Sequence, residues 1–153
     1  MNTKELGDFG ESLACEYLVN KGFKIVGRNY RITFGEIDII ARKKLAPLNK
    51  ICQILNFGSD QSLFNGVKKF LNRDNVIHFV EVKTSLLGNE MFLPEERVNF
   101  KKQRKLQQLC QIWLEQNKYQ QNHPYQIDVI GILVNEETRK AKLHYFGNVI
   151  EDK

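Results

Sequence analysis

The chain predicts an α/β sandwich built on a mixed sheet, on three observations. Apolar residues recur three to four apart at 4–20 and again at 95–116, the spacing of amphipathic helices. Branched and aromatic runs lie between and after them, as strands require. No tandem repeat or low-complexity tract interrupts the order of helix, several strands, long helix and two strands.

In the first helix, Leu6, Phe9, Leu13, Tyr17 and Leu18 form the apolar stripe, Glu11 lies at its margin, and Gly22 stands where a C-terminal glycine is expected. FKIV at 23–26 and NYRI at 29–32 read as two short strands or the entry to a hairpin. TFGEIDIIA at 33–41 supplies a turn glycine and a branched strand, and IHFVEV at 77–82 supplies another. Between them lies a segment with Pro47, Gly58 and Gly66 and a short helical pattern at 61–71, which reads as a surface insertion spanning about residues 42–75. The long helix follows Pro94 and carries Val98, Lys102, Leu106, Leu109, Cys110 and Trp113 on one side. YQIDVIGILV at 125–134 and KLHYFGN at 142–148 read as strands joined by the polar turn NEETRK.

At 153 residues the chain is the size of one domain, with 42% hydrophobic and 27% charged residues, as in folded soluble proteins. It holds no apolar run of membrane-spanning length and no secretion signal, which predicts a cytoplasmic protein. Cys15, Cys52 and Cys110 have no paired spacing, and His78, His123 and His144 form no local ligand motif. The net charge is +5, and residues 42–75 account for all of it, with seven Lys or Arg against two Asp. Such a patch suits a phosphate backbone, and it also suits ordinary solubility.

Two strands carry charge where a core strand would not. Period-two alternation sends Glu36, Asp38 and Ile40 to one side and Ile37, Ile39 and Ala41 to the other. On the second strand it groups Ile77, Phe79, Glu81 and Lys83. If the strands are neighbours with their charged faces together, Asp38 and Glu81 meet, and two close carboxylates need a cation or a raised pKa. Oxygen donors, with the Val82 carbonyl beside Glu81, favour Mg²⁺ or Mn²⁺ over zinc. Lys83, roughly 7 Å along the strand from Glu81, would face the reacting phosphoryl group. The plain alternative is a set of solvated strand ends or a cross-strand ion pair. Lys102, inside the apolar stripe of the long helix, either snorkels to an edge or meets an anion; Gln103 sits at the stripe's margin.

These residues fall within GESLACEYLVNKGFKIVGRNYR at 10–31, GEIDIIA at 35–41, FVEVKTS at 79–85, VNFKKQRKLQQLCQIWL at 98–114 and QIDVIGI at 126–132. In that order the segments resemble the YraN-like family of predicted endonucleases, which is similar to archaeal Holliday junction resolvases in the PD-(D/E)xK nuclease superfamily. The resemblance implies a restriction-endonuclease-like core, a mixed β-sheet flanked by helices, in a single domain over 1–153. It implies Mg²⁺- or Mn²⁺-dependent hydrolysis of DNA, on branched or damaged structures, and a homodimer if the substrate is a two-fold junction. It makes Asp38 and Glu81 metal ligands with the Val82 carbonyl, Glu81 and Lys83 the acid and lysine of the ExK motif, and Glu11 an additional helix carboxylate that contributes to catalysis and the metal site through water. Glu36 becomes a supporting acid or accessory ligand, and Lys102 and Gln103 the basic and amide positions of the long helix. Asp128 matches an acid that caps, pairs with Arg31 or organises the sheet. The resemblance gives the insertion no role. The alternative function is a nucleic-acid-binding or scaffold protein that keeps the fold without the chemistry.

Overall fold

The computed structural model describes residues 1–33, 35–43, 76–88 and 100–150, with side chains from Gln103 onward in the last stretch. Helix α1 (Thr3–Asn20) starts at a capping box, in which the Asn2 side chain accepts from the Glu5 N–H and the Glu5 carboxylate accepts from the Asn2 N–H. It ends at Lys21, and Gly22 follows at φ 85°, a left-handed backbone that glycine adopts without a Cβ penalty.

The chain then runs through β1 (Phe23–Ile32), β2 (Gly35–Lys43), β3 (Ile77–Leu86), helix α2 (described from Phe100 to Gln116), β4 (Tyr125–Val134) and β5 (Ala141–Phe146). These strands form one sheet in the order β1-β2-β3-β4-β5. Only β3 and β4 pair in parallel; the other neighbours are antiparallel, so the sheet is mixed as expected. A parallel pair needs a crossover, and α2 lies in it.

One strand, β1, spans both short segments and enters a hairpin with β2, the second of the two readings. It stays paired to β2 throughout by absorbing an irregularity: the register slips between Ile25 and Gly27, and Asn29 sits at φ 51°. The strand β5 stops at Phe146, two residues before the expected end, because Asn148 turns left-handed and gives its N–H to Asp128. The expected helix at 61–71 and residues 95–99 of the long helix lie outside the described residues.

The sheet is buried on both faces. On one, Ala14 and Leu18 of α1 pack with Ile39, Ala41, Val80, Ile130 and Ile132. On the other, Leu106, Leu109, Cys110 and Trp113 of α2 pack with Ile40, Ile77, Phe79, Ile127 and Val129. Each Leu, Ile, Val or Phe among them contributes about 1.5–3 kcal/mol when fully buried. Helix α1 comes close because it has Gly10 at the contact: a Cβ there would lie 1.8 Å from Thr84 Oγ1.

Asp128 is wholly buried in β4. It accepts from the Tyr145 hydroxyl and the Asn148 N–H at 2.8 Å and from Gln126 at 2.7 Å, and it lies 2.7 Å from His78 Nδ1. Burial alone would raise its pKa, but these hydrogen bonds outweigh it and hold the carboxyl below its ordinary value. Asp128 therefore organises the sheet, tying β3, β4 and β5 together, while Arg31 pairs with Glu36 instead.

Asp128→Ala leaves the buried His78 and the donors of Gln126, Tyr145 and Asn148 without this acceptor, and we expect a loss of about 3–5 kcal/mol at pH 7. Urea midpoints would show it. The gap should be full above the unfolded-state pKa of about 3.9 and should close as acid takes the folded protein through the lowered value.

Candidate functional site

Strands β2 and β3 pair from Arg42 with Ile77 as far as Ile39 with Val80. One step further, the register would set Asp38 opposite Glu81. There the ladder ends, and the Val82 N–H donates to Asp38 Oδ2 at 2.7 Å. A side chain thus supplies the acceptor for a backbone donor where β2 and β3 part.

The break also corrects the expected faces of β2. Ile37 packs in the α2-side cluster with Ile40, whereas Ile39 and Ala41 pack on the α1 side. Strict alternation would have put Ile37 with Ile39. It fails around Asp38, where β2 remains paired to β1 but leaves β3.

Beneath α2 the parting strands border a cavity of about 450 Å³. Its polar wall comes from Arg31, Glu36, Asp38, Glu81 and Lys105, with Val82 alongside; Ile37, Phe79, Leu106, Leu109 and Ile127 supply apolar walls. The Asp38 carboxyl is pushed up from 3.8 to about 6. Burial is the largest cause, the Val82 N–H pulls the other way, and the charges of Glu81, Glu11 and Glu36 add to the rise.

The other candidate residues stand at different distances from this wall. Glu11, on α1, is ion-paired to Arg28 of β1 at 3.7 Å and acts on Asp38 through its charge without lining the cavity. Glu36 lines it and is ion-paired to Arg31, whose Nε lies 2.9 Å from Oε2. Lys83 is partly buried, stands opposite Gly131 in the parallel ladder, and is not among the lining residues. Gln103 is partly buried and does not line the cavity. The Lys102 side chain lies outside those described. Arg31 and Lys105 line the cavity, although neither was singled out for the site from sequence. Lys105 is exposed, on the polar margin of a helix whose apolar stripe gives no sign of it.

Among the described residues, no three His, Cys, Asp or Glu side chains are grouped so as to hold a metal ion. The donor set nevertheless suits magnesium, which keeps most of its waters and commonly takes only one or two carboxylates with substrate phosphates. Asp38 and Glu81 are two such carboxylates on one wall. The raised pKa of Asp38 marks a place where added positive charge would be favourable.

A family model described as "Uncharacterised protein family UPF0102" matches residues 10–132. The chain belongs to this family. The UPF0102 match takes in Glu11, every named cavity residue and most of β4. A UPF0102 protein of Caldicellulosiruptor bescii is 31% identical over 152 residues, covering 99% of this chain and 98% of that protein. One of Clostridioides difficile is 36% identical over 138 residues, covering 90% and 92% respectively. Neither the UPF0102 description nor these names carries an activity. Among the described residues no helix is long and apolar enough to cross a membrane.

Ionised Asp38 should cost the fold stability. Its folded pKa of about 6 exceeds the unfolded value, so the penalty is absent below about pH 4, grows up to pH 6 and is full above it. Asp38→Asn keeps an acceptor for the Val82 N–H and removes the charge. We expect it to be more stable than wild type by about 1–2 kcal/mol at pH 7.5 in EDTA, with the difference gone at pH 4. Urea unfolding at the two pH values checks this; an equal gap at both would refute it.

Proposed function

We propose that this chain is a Mg²⁺- or Mn²⁺-dependent endonuclease that hydrolyses DNA phosphodiester bonds, on branched or damaged structures. The observation that carries the reading is the cavity between the parting strands, lined by both Asp38 and Glu81, with the Asp38 carboxyl raised to about 6 by burial and in part by the Glu81 charge. A carboxylate whose pKa is raised by burial and by neighbouring charges, in a cleft, is a candidate for a functional site.

Asp38, Glu81 and the Val82 carbonyl would hold the ion, which would neutralise the acids and polarise the phosphoryl group. The Val82 N–H fixes one Asp38 oxygen, so this carboxylate is oriented before any substrate arrives. Glu11 adds negative charge from the α1 side, and Glu36 does so from β2. Lys83, two residues beyond Glu81, would stabilise charge developing on the phosphoryl oxygens. Water adds to phosphorus, one P–O ester bond breaks, and the departing sugar oxygen takes up a proton.

A second reading is a DNA-binding or scaffold protein on the same fold. The position of Lys83, which is not among the residues that line the cavity, favours it.

Incubation with Mg²⁺ or Mn²⁺ and a panel of duplex, flap, fork and four-way DNA separates the two. The endonuclease reading expects cleavage of at least one substrate, with a loss of about 10²–10³-fold in Glu81→Ala or Lys83→Ala. It also expects calorimetric metal binding that Asp38→Ala abolishes. Salt-sensitive DNA binding that survives loss of Asp38 and Glu81, with no cleavage by wild type, would establish the second reading.

A further inference from the structure

We propose that Lys105 of α2 and Arg31 of β1 form a phosphate-binding pair at the β1–β2 turn end of the cavity. The pair would grip the DNA backbone beside the scissile phosphate rather than at it. This rests on the reading of the cavity as a DNA site and extends it to the flanking strand.

The placement follows from Gly35. A Cβ on Gly35 would lie 2.7 Å from Leu109 Cδ1 and 3.3 Å from Lys105 Cε. Helix α2 therefore rests directly on the β2 backbone, with two side chains four residues apart laid across it. Leu109 is buried and seals the contact, while Lys105, one turn nearer the helix start, is exposed and lines the cavity. Gly35 pairs with Ile32, and the next pair is Glu36 with Arg31. Two cations from separate elements thus meet the same end of β2. Asp38 is three residues further along, about 10 Å at ordinary strand rise.

Asp38 and Glu81 lie toward the inner end, while Lys105 and the Arg31–Glu36 pair lie at the turn end. That polarity suits a ligand with repeated negative charge, such as a polynucleotide backbone, which would place one phosphate near the acids and another near Lys105 and Arg31. Arg31 is engaged with Glu36, but both side chains are more than half exposed, 72% and 54%. An exposed ion pair holds its partners weakly, and guanidinium binds phosphate in bidentate fashion, so a phosphate can take the place of Glu36. No ion pair to Lys105 occurs among the described residues.

Lys105→Gln and Arg31→Gln keep most of each stem, so packing over Gly35 survives. Binding of the same DNA panel is measured with Ca²⁺ in place of Mg²⁺, across a salt series. Each variant should bind about tenfold more weakly at low salt and lower the slope of log K against log salt by about one. Lys105→Arg should restore both, and calorimetric Mg²⁺ affinity should stay at the wild-type value. If any substrate is cleaved, KM should rise far more than kcat falls. Unchanged slopes, or wild-type protein that binds none of the DNAs, would overturn the pair. Wild type that binds but cuts nothing, with both slope changes present, would leave the pair standing and remove the catalytic reading.

Discussion

The hydrogen bond from the Val82 N–H to Asp38 Oδ2 decides the shape of everything around it. A backbone donor in a half-buried strand must find an acceptor, and leaving it without one costs about 1–3 kcal/mol. Past Val80 the neighbouring strand no longer offers a carbonyl, and the carboxylate takes its place. This explains why an apolar strand carries charge at its end. The side chain that replaces the missing ladder partner stands at the edge of the opening it helps to hold.

Two carboxylates on the sheet show how far environment separates scaffold from site. Asp128 is fully buried yet held below its ordinary pKa, because donors from four residues surround it. Asp38 has one backbone donor, and neighbouring acids add to the effect of burial, so its carboxyl is raised. The first arrangement is locally satisfied and binds three strands together. The second accepts a backbone hydrogen bond but lies buried among like charges, a setting in which added positive charge would be favourable.

Most elements were legible because their signals are local. Gly22 punctuates the end of α1, and the branched run at 125–134 has the same bounds as β4. The parts that escaped depend on neighbours distant in sequence. Continuity of β1 rests on a register slip and a left-handed Asn29, neither visible as hydrophobic pattern. The role of Asp128 depends on His78 and Tyr145, which lie 50 and 17 residues away. Charge on two strands gave the expectation that Asp38 lies near Glu81, but neither the hydrogen bond from the Val82 N–H nor the side taken by Ile37, because the parting of β2 and β3 interrupts alternation there.

The same reasoning explains why Lys105, rather than Lys102 or Gln103, drew no notice. Periodicity gives a helix's apolar stripe but not the point at which its margin touches another element. That point is set here by Gly35, whose missing side chain lets Leu109 and Lys105 lie across β2. On its core side the helix is fixed by Trp113, which meets Phe79 edge to face with ring centroids 5.5 Å apart. The cation at its margin is placed by the contact over Gly35, though only the acids announce themselves in the pattern of a strand.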